Sequence, residues 1–260
     1  MNFIKTEASN LISELRAKLY LKLKAPIDAM WEQLYIASSQ HYLMESNNQT
    51  YGYCSINDEK SLVQLFLIDE YKSKMENVVV ELINSNLITS ASISTNEPNL
   101  FNWCLALSNS IKVNTYCFEH TNTYNDIESN LNMELVTGES IPQIKMFLKD
   151  QVGMNDTFGY TENLVSRKEI YMVKDSNVII ATSEFRRSET QPDITDVGII
   201  VNRNYQGNGF ATQLMKIQVN RALKAGRKPI CSTTVENIAS RKMIKKSGFY
   251  CTNIIFDICF

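Results

Sequence analysis

The sequence predicts an α/β (α+β) protein in which helices flank a mixed, mostly antiparallel central sheet, built as two tandem domains. Short β-branched or alternating apolar runs typical of strands take turns with longer segments whose apolar residues recur at helical spacing. The same order, three strands followed by helix, strand, helix and strand, occurs once in each half of the chain. A chain of 260 residues is long enough for two domains that each bury a core.

The first half begins with helical spacing. Leu15 and Leu19 lie on the apolar stripe of a helix predicted over residues 7–24, which Pro26 ends. A second helix is predicted over residues 27–38. The elements that follow are strands at 41–44 and 49–55 around the turn Ser46-Asn47-Asn48, a strand at 62–68, a helix at 72–84, a strand at 87–94, a helix at 99–107 and a strand at 112–118.

A polar stretch poor in large apolar residues, 121–132, separates the halves and is typical of a linker. We therefore predict domains at residues 1–120 and 135–260, joined by a linker at 121–134. The second domain contains a helix at 140–152, strands at 170–173, 178–186 and 197–201, a helix at 210–223, a strand at 229–235, a helix at 237–249 and a strand at 254–259.

Two pairs of residues align between the halves at one offset, Tyr42 with Tyr171 and Asn48 with Asn177. The offset grows by roughly ten residues further along, and most of the extra length falls at residues 202–211. We interpret the halves as two copies of one fold. The alternative is a single αβ domain with an unrelated N-terminal cap.

A strand, a glycine-bearing turn and the start of a helix follow one another within residues 196–212. The first N–H groups of a helix have no intrahelical acceptor and lie at the positive end of the helix dipole, so they bind anions. Gly207 and Gly209 remove side chains where the backbone must approach a phosphate or adopt a positive φ. The loop matches neither GxxxxGK[ST] nor GxGxxG, because Thr212 stands at the third glycine position. Taken alone, the turn also fits a helix start whose glycines serve close packing.

The spacing Gln206-x-x-Gly209-x-Ala211 resembles the Q/R-x-x-G-x-G/A loop of the GCN5-related N-acetyltransferases (GNAT). A second segment of that family, N-x-x-A/S-x-x-x-Y-x-x-x-G-F, is similar to this chain at Asn237, Ser240, Gly248 and Phe249. The resemblance covers residues 165–260. It implies that the loop holds the pyrophosphate of acetyl-CoA.

The resemblance also implies a cofactor site along the strand that precedes the loop. In the family this strand splays from its neighbour, and its backbone pairs with the pantetheine amides, which would involve Ile199 and Val201. A strand N–H near Ile200 would be the oxyanion donor. The expected cofactor-binding residues are Ile199, Ile200, Val201, Gln206, Gly207, Asn208, Gly209, Phe210, Ala211, Thr212, Asn237 and Ser240.

Two carboxylates are candidates for the general base. Glu184 lies on the strand neighbouring the splayed one, and Asp196 opens the splayed strand, although each also fits an ordinary strand-edge carboxylate. The adjacent Arg186 and Arg187 either bind an anionic substrate group or form a solvated edge. Where many family members carry a tyrosine general acid, this chain has Ile244, so the source of that proton stays open.

The first half carries Asp69 and Glu70 where the second half has its loop, and these charges would repel a pyrophosphate. We expect this half to wall the acceptor pocket instead, with the loops at 154–166 and 187–192 shaping it. The implied function is transfer of acetyl from acetyl-CoA to a primary amine of a small molecule, an amino-acid derivative or a peptide, by direct attack in a ternary complex. The alternatives are a non-catalytic acyl-CoA-binding regulatory module and, third, an interaction scaffold.

Composition narrows the possible partners. A net charge of −2 argues against nucleic-acid binding. No apolar run reaches transmembrane length, and Glu7 and Glu14 interrupt the N-terminal segment, unlike the apolar core of a signal peptide. The 6 scattered cysteines form no CxxC, and with only 2 histidines they argue against a zinc site and predict a reducing, cytoplasmic setting. We expect a monomer or a homodimer with no membrane partner.

Overall fold

A computed structural model of the chain describes residues 2–7, 10–46, 49–124, 131–156 and 159–260. It is a mixed α/β fold in which helices flank a large, mostly antiparallel sheet, which confirms the predicted fold class. The strands are β1 (Asn2–Thr6), β2 (Gln40–Ser46), β3 (Gln49–Ile56), β4 (Ser61–Leu67), β5 (Ser90–Ser94), β6 (Ser110–His120), β7 (Glu134–Leu135), β8 (Ile170–Asp175), β9 (Val178–Arg187), β10 (Ile194–Val201), β11 (Lys228–Thr234) and β12 (Phe249–Cys259). The α-helices are α1 (Asn10–Tyr20), α2 (Met75–Asn84), α3 (Pro98–Ala106), α4 (Ile141–Val152), α5 (Tyr160–Ser166), α6 (Phe210–Lys224) and α7 (Ile238–Lys246).

The chain forms two compact units. The N-terminal unit comprises Met1–Cys117, Ser232–Glu236 and Cys251–Phe260, and the C-terminal unit comprises Phe118–Cys231 and Asn237–Tyr250. From Cys251 onward the last strand therefore belongs to the N-terminal unit, where Ile255 to Cys259 of β12 pair antiparallel with β5. The domain boundaries at 1–120 and 135–260, which we predicted from the sequence, stay a prediction.

The N-terminal unit follows the strand order β1-β2-β3-β4-β5-β12. Helix α1 buries Ile12, Leu15 and Leu19 against Tyr53 and Phe66 of β3 and β4. A larger apolar cluster joins strands β3 to β5 and β12 to the buried residues of α2 and α3, namely Met75, Val78, Val79, Leu82, Leu100 and Cys104. Burial of these faces explains why both helices show apolar residues at helical spacing.

Strands β4 and β5 of this unit separate soon after they begin to pair. Their parallel pairing is confined to Ser61 with Ser90 and Leu62 with Ala91, whereas β4 continues to Leu67 and β5 to Ser94. The two strands diverge beyond that point, so the N-terminal unit contains a splay between its parallel strands.

The C-terminal unit follows the order β11-β10-β9-β8-β7. Antiparallel ladders join β7 to β8, β8 to β9 and β9 to β10. Helix α6 packs against β9 and β10, with Leu214 fully buried among Val173, Ile180 and Ala181. This packing fixes where the start of α6 lies with respect to the end of β10.

Three segments differ from the sequence-based prediction. Strand β1, which the sequence did not predict, pairs with β2 from Asn2 opposite Glu45. The second predicted helix is a short π-helical segment, Trp31–Ile36. The segment 154–166, predicted as a loop, contains α5, because Tyr160 and Leu164 are buried at helical spacing.

Parts of four predicted segments lie outside the described residues, namely residues 8–9 of the first helix, Asn47 and Asn48 of the first turn, residues 125–130 of the linker and residues 157–158 of the segment 154–166. Among the described residues, every helix is too short or too polar to span a lipid bilayer.

Candidate functional site

The splayed strand predicted from the sequence is β10. It pairs in parallel with β11 only from Ile194 opposite Lys228 to Asp196 opposite Ile230, although β10 continues to Val201. On its other side it stays paired with β9 as far as Val201 opposite Ala181. Among the described residues, the edge of β10 from 197 to 201 therefore has no strand partner on the β11 side.

The backbone groups of β10 alternate between these two sides. The N–H of Asn202 donates to the carbonyl of Ile180 in β9 at 2.9 Å. Because neighbouring residues of an antiparallel strand point their backbone groups to opposite sides, the backbone of Ile200 also faces β9. The N–H groups of Ile199 and Val201 face the unpaired edge, as their predicted role requires. The direction of the Ile200 N–H does not suit the oxyanion role predicted for it.

A short turn connects β10 to α6. The side chain of Asn202 accepts a hydrogen bond from the N–H of Asn204 at 3.1 Å and donates to the carbonyl of Ile179 at 3.2 Å. A 3-10 turn, Arg203–Tyr205, follows, and the side-chain amide of Gln206 reaches back to the Val201 carbonyl at 3.4 Å. These local bonds set the direction in which the loop leaves the strand.

Both glycines of the loop adopt φ +82°. A Cβ added at Gly207 would meet no atom within 4 Å, and one at Gly209 would meet only Gln213 Nε2 at 3.8 Å. Close packing therefore does not explain these glycines, which rules out the packing alternative. The left-handed backbone does explain them, since it is unfavourable for residues with a side chain.

The turn leaves a row of backbone donors without acceptors. Gly209 caps α6 without any side-chain cap, and the first N–H bonded back to the loop is that of Gln213, which reaches the Gly209 carbonyl at 3.1 Å. No described residue accepts a hydrogen bond from the backbone N–H groups of residues 207–212. Residues 206–209 are exposed, and no acidic side chain lies within the loop. Such a helix start binds anions such as phosphates.

Helix α7 begins with an Asn cap. The Oδ1 atom of Asn237 accepts a hydrogen bond from the N–H of Ser240 at 3.0 Å, so these two predicted cofactor contacts are bonded to each other. The Asn237 side-chain NH2 donates no hydrogen bond to a described residue, and Asn237 is exposed. Ile244, at the position of the family tyrosine, is 1% exposed and belongs to the core.

Comparison with known proteins identifies both halves. Residues 8–121 match a family model described as an acetyltransferase (GNAT) domain, and residues 142–249 match the acetyltransferase (GNAT) family. The chain belongs to the GNAT family. Its two GNAT domains in tandem confirm the predicted repeat and exclude an unrelated N-terminal cap.

Solved structures show the same fold over the whole chain. A GNAT-family acetyltransferase from Colwellia psychrerythraea is similar with a TM-score of 0.94 and 24% identity, covering 100% of both chains. A GCN5-related N-acetyltransferase from Sphaerobacter thermophilus gives 0.68 and 12%, covering 98% of this chain and 95% of its own. A tandem GNAT protein from the clavulanic acid biosynthesis pathway gives 0.64 and 9%, covering 99% and 98%. No curated protein matches the chain.

The two candidate bases of the GNAT domain share one arginine. Arg186 Nη1 donates to Glu184 Oε2, and Nη2 donates to Asp196 Oδ1 at 2.6 Å. The phenol of Tyr160, on α5, donates to Glu184 at 2.8 Å, and Arg186 Nη1 lies 3.1 Å from the same hydroxyl. All four side chains are buried, and a Cβ at Gly198 would lie 3.1 Å from Arg186 Nη1. One guanidinium and two carboxylates leave this cluster with a formal charge of −1.

This cluster corrects two sequence-based alternatives. Glu184 and Asp196 are 5% and 1% exposed, so neither is an ordinary strand-edge carboxylate. Arg186 is buried between them and does not form a solvated edge, whereas Arg187 is partly exposed and bonds Glu169 at 2.9 Å. Sequence analysis missed Tyr160, whose only signal was its helical spacing with Leu164. Burial, more than its charged neighbours, holds the pKa of Tyr160 well above its usual range.

The N-terminal domain has a different turn at the corresponding place. After β4, a 3-10 helix, Asp69–Lys74, leads directly into α2 without a glycine. The Asp69 carboxylate accepts hydrogen bonds from Lys22 at 2.5 Å and Lys72 at 2.7 Å, which lower its pKa to about 2. An ionised carboxylate thus occupies the start of this helix, consistent with the expected repulsion of a pyrophosphate.

Proposed function

We propose that this protein is an acetyl-CoA-dependent N-acetyltransferase whose active domain is the C-terminal one. The acceptor is a primary amine of a small molecule, an amino-acid derivative or a peptide, which attacks directly within a ternary complex. The observation that carries the proposal is the row of backbone N–H groups at residues 207–212 that have no acceptor among the described residues, next to the edge of β10 that has no strand partner. A diphosphate and an extended amide chain need these two features side by side.

The residues present fit the coenzyme. The amides of Gly207, Asn208, Gly209, Phe210, Ala211 and Thr212 would bind the diphosphate, and no side chain on either glycine stands in the way. The backbone of Ile199 and Val201, which has no strand partner on this side, would pair with the pantetheine amides. The Asn237 side chain would contribute a donor, with Ser240 and Gln206 at the rim. Acetyl-CoA supplies the acetyl group as an activated thioester.

The oxyanion donor is best assigned to a neighbour of Ile200. Charge develops on the thioester oxygen during attack, and a preorganised N–H stabilises it. Because the Ile200 amide faces β9, we assign this role to the N–H of Ile199 or Val201, which face the unpaired edge. The backbone of Ile200 instead takes part in the ladder to β9.

Glu184 is our preferred general base, acting directly or through a water. Asp196 is less exposed and accepts a 2.6 Å hydrogen bond from Arg186, so its role is to hold that guanidinium. The cluster's negative charge favours an ammonium nearby, and Tyr160 offers a neutral donor next to Glu184. We place the enzyme in the cytoplasm, where its 6 free cysteines would stay reduced, as a monomer or a homodimer.

Substitution of a loop glycine by glutamate tests the proposed coenzyme site. Gly209→Glu places an anionic side chain among the unbonded amides and should abolish coenzyme A binding measured by calorimetry, together with thiol release from acetyl-CoA. Gly153→Glu is the matched control, because Gly153 also has a positive φ, +69°, and open space around it, at the end of α4. If both variants bind coenzyme A equally well, the proposed site is wrong.

A non-catalytic acyl-CoA-binding module is the second candidate. Two observations favour it: both candidate bases are bonded to Arg186, and the usual tyrosine position is filled by the buried Ile244. Thiol release over a panel of amines separates the two functions. Coenzyme A binding without turnover for every amine would support the module.

A further inference from the structure

The N-terminal unit contains a cavity where β4 and β5 diverge. Val63 of β4, Ser94 of β5 and the following Glu97 line one part of it, and Asp28 and Trp31 line another. The cavity holds about 20 Å³, which is room for one or two groups the size of a water molecule. It lies within one compact unit and contains no residue of the proposed coenzyme site.

Asp28 lines this cavity and carries an unsatisfied acceptor. Its carboxylate is held in place because Oδ1 accepts a hydrogen bond from the N–H of Trp31 at 2.9 Å. The other oxygen, Oδ2, is buried and has no hydrogen-bond partner among the described residues, and the residue is 7% exposed. A buried carboxylate oxygen without a donor is unfavourable, so its presence indicates a missing donor.

Glu97 brings a second carboxyl group to the same cavity. Its side chain makes no hydrogen bond or ion pair with any described residue. Burial raises the pKa of Glu97 to about 8. A cation placed against this carboxyl would restore its charged form.

Asn96 fixes the two acidic residues with respect to each other. Its Oδ1 accepts hydrogen bonds from the N–H groups of Lys24 and Ala25, both at 2.8 Å, and its Nδ2 donates to the Ala25 carbonyl at 2.5 Å. The segment that leads to Asp28 is therefore bonded to the residue that precedes Glu97. A site held in this way needs little rearrangement to bind a ligand.

The rest of the lining selects the kind of cation. It contains no lysine or arginine, and it offers the Trp31 ring and apolar walls that include Val63 and Ile255. Trp31 is itself stacked on Tyr35, with 4.4 Å between the ring centroids, which fixes its orientation. In the described part of the chain, no group of three or more His, Cys, Asp or Glu side chains is suited to a metal ion. Carboxylates, an aromatic ring and apolar walls together are typical of an organic ammonium site.

We propose that this cavity binds the primary ammonium group of a slim alkylamine, with the ammonium donating to the Asp28 and Glu97 carboxylates inside the cavity and the alkyl chain extending out of it along its apolar residues. The N-terminal GNAT domain would then be an amine-binding domain, in place of a coenzyme-binding one. The proposal depends only on the N-terminal unit, so it stands or fails separately from acetyl transfer.

Tryptophan fluorescence of the full chain tests the proposal. The chain has 2 tryptophans, and Trp103→Phe leaves Trp31 as the only reporter. Propylammonium should give a saturable change with a Kd in the millimolar range, as expected for so small a ligand, and 1-propanol, its neutral counterpart, should give none. A response to Nα-acetyl-lysine amide as well would identify a peptide side chain as a source of the amine, and a response to propylammonium alone would identify a free amine.

Two acid variants in the same background complete the test. Asp28→Asn keeps the acceptor for the Trp31 N–H but loses the charge, and Glu97→Gln is nearly isosteric, so both should fold and weaken propylammonium binding at least about tenfold. Glu76→Gln, an exposed acid at the start of α2, is the control and should bind as the parent does. Equal affinity in all three variants, an equal response to 1-propanol, or no saturable change would overturn the proposal. Coenzyme A binding by Asp28→Asn should stay unchanged in every case.

Discussion

Replacing Gly248 with alanine should destabilise the C-terminal unit by more than the cost of placing alanine in a left-handed backbone conformation. Gly248 follows α7 with φ +90°, and a Cβ built there would lie 2.7 Å from His120 Nε2. His120 is 3% exposed and packs edge-on against Phe249, with 4.9 Å between the ring centroids. The ring therefore has to move to admit the methyl group.

The hydrogen bonds of His120 make that movement costly. Its Nδ1 accepts from the N–H of Asn122 at 3.0 Å, so the ring proton is on Nε2, which donates to the carbonyl of Ser247 at 3.1 Å. A left-handed backbone costs an alanine about 1–2 kcal/mol, and breaking a buried hydrogen bond costs about 1–3 kcal/mol. We expect Gly248→Ala to lower the free energy of unfolding by about 2–5 kcal/mol.

Urea unfolding of Gly248→Ala and Gly153→Ala at pH 7.5 measures the difference. Gly153 has φ +69° and no atom within 4 Å of an added Cβ, so its variant should lose only the backbone part, about 1–2 kcal/mol. The double variant Gly248→Ala/His120→Ala should lose less than the sum of its single changes, because the smaller side chain makes room. If Gly248→Ala and Gly153→Ala lose the same free energy of unfolding, the contact with His120 does not explain why position 248 is glycine.

Three further predictions concern charged residues. The pKa of Glu97 rises from 4.5 to about 8 on folding, so the folded state binds the proton more tightly than the unfolded state. The free energy of unfolding should therefore fall as the pH rises from about 4.5 to about 8. Urea unfolding at pH 5 and pH 8 should show a smaller difference for Glu97→Gln than for the parent. Arg186→Met leaves Glu184 and Asp196 buried without their counter-charge and should cost about 3–5 kcal/mol in the same assay, whereas Arg203→Met on the exposed loop should stay within about 1 kcal/mol; equal losses would contradict the buried ion pairs. Glu184→Gln should lower kcat for the preferred amine by about 10²–10⁴-fold with the Kd for coenzyme A unchanged, and an undiminished kcat would remove Glu184 as the base.

Several features of the candidate site followed from short-range patterns in the sequence. The turn with Gly207 and Gly209 was predictable because a positive φ and a helix start are local properties of a few residues. The tandem arrangement was predictable because strand and helix periodicities recur in the same order in both halves. The splay of β10 came from the family resemblance, and the register with β11 agrees with it.

Other features depend on which strand pairs with which. The direction of the Ile200 amide follows from the register with β9, where a shift of one residue would reverse it. The pairing of β12 with β5 joins residues far apart in the chain, and no local pattern selects that partner over another strand. Arg186 was ambiguous in the sequence for the same reason, because its burial depends on Asp196 across the ladder and on Tyr160 from α5.

By itself, the sequence determined the fold class, the two GNAT domains and the backbone shape of one anion-binding loop. The fold class and the repeat follow from the periodicity of successive short segments, the loop from the conformation that its glycines favour, and the family from the resemblance of two short motifs. Only the tertiary structure decided which carboxylates share Arg186, which amides of β10 face the unpaired edge, and that Asp28 and Glu97 line one cavity. Those outcomes depend on long-range pairing and burial, where a charge's surroundings are set by residues distant in sequence.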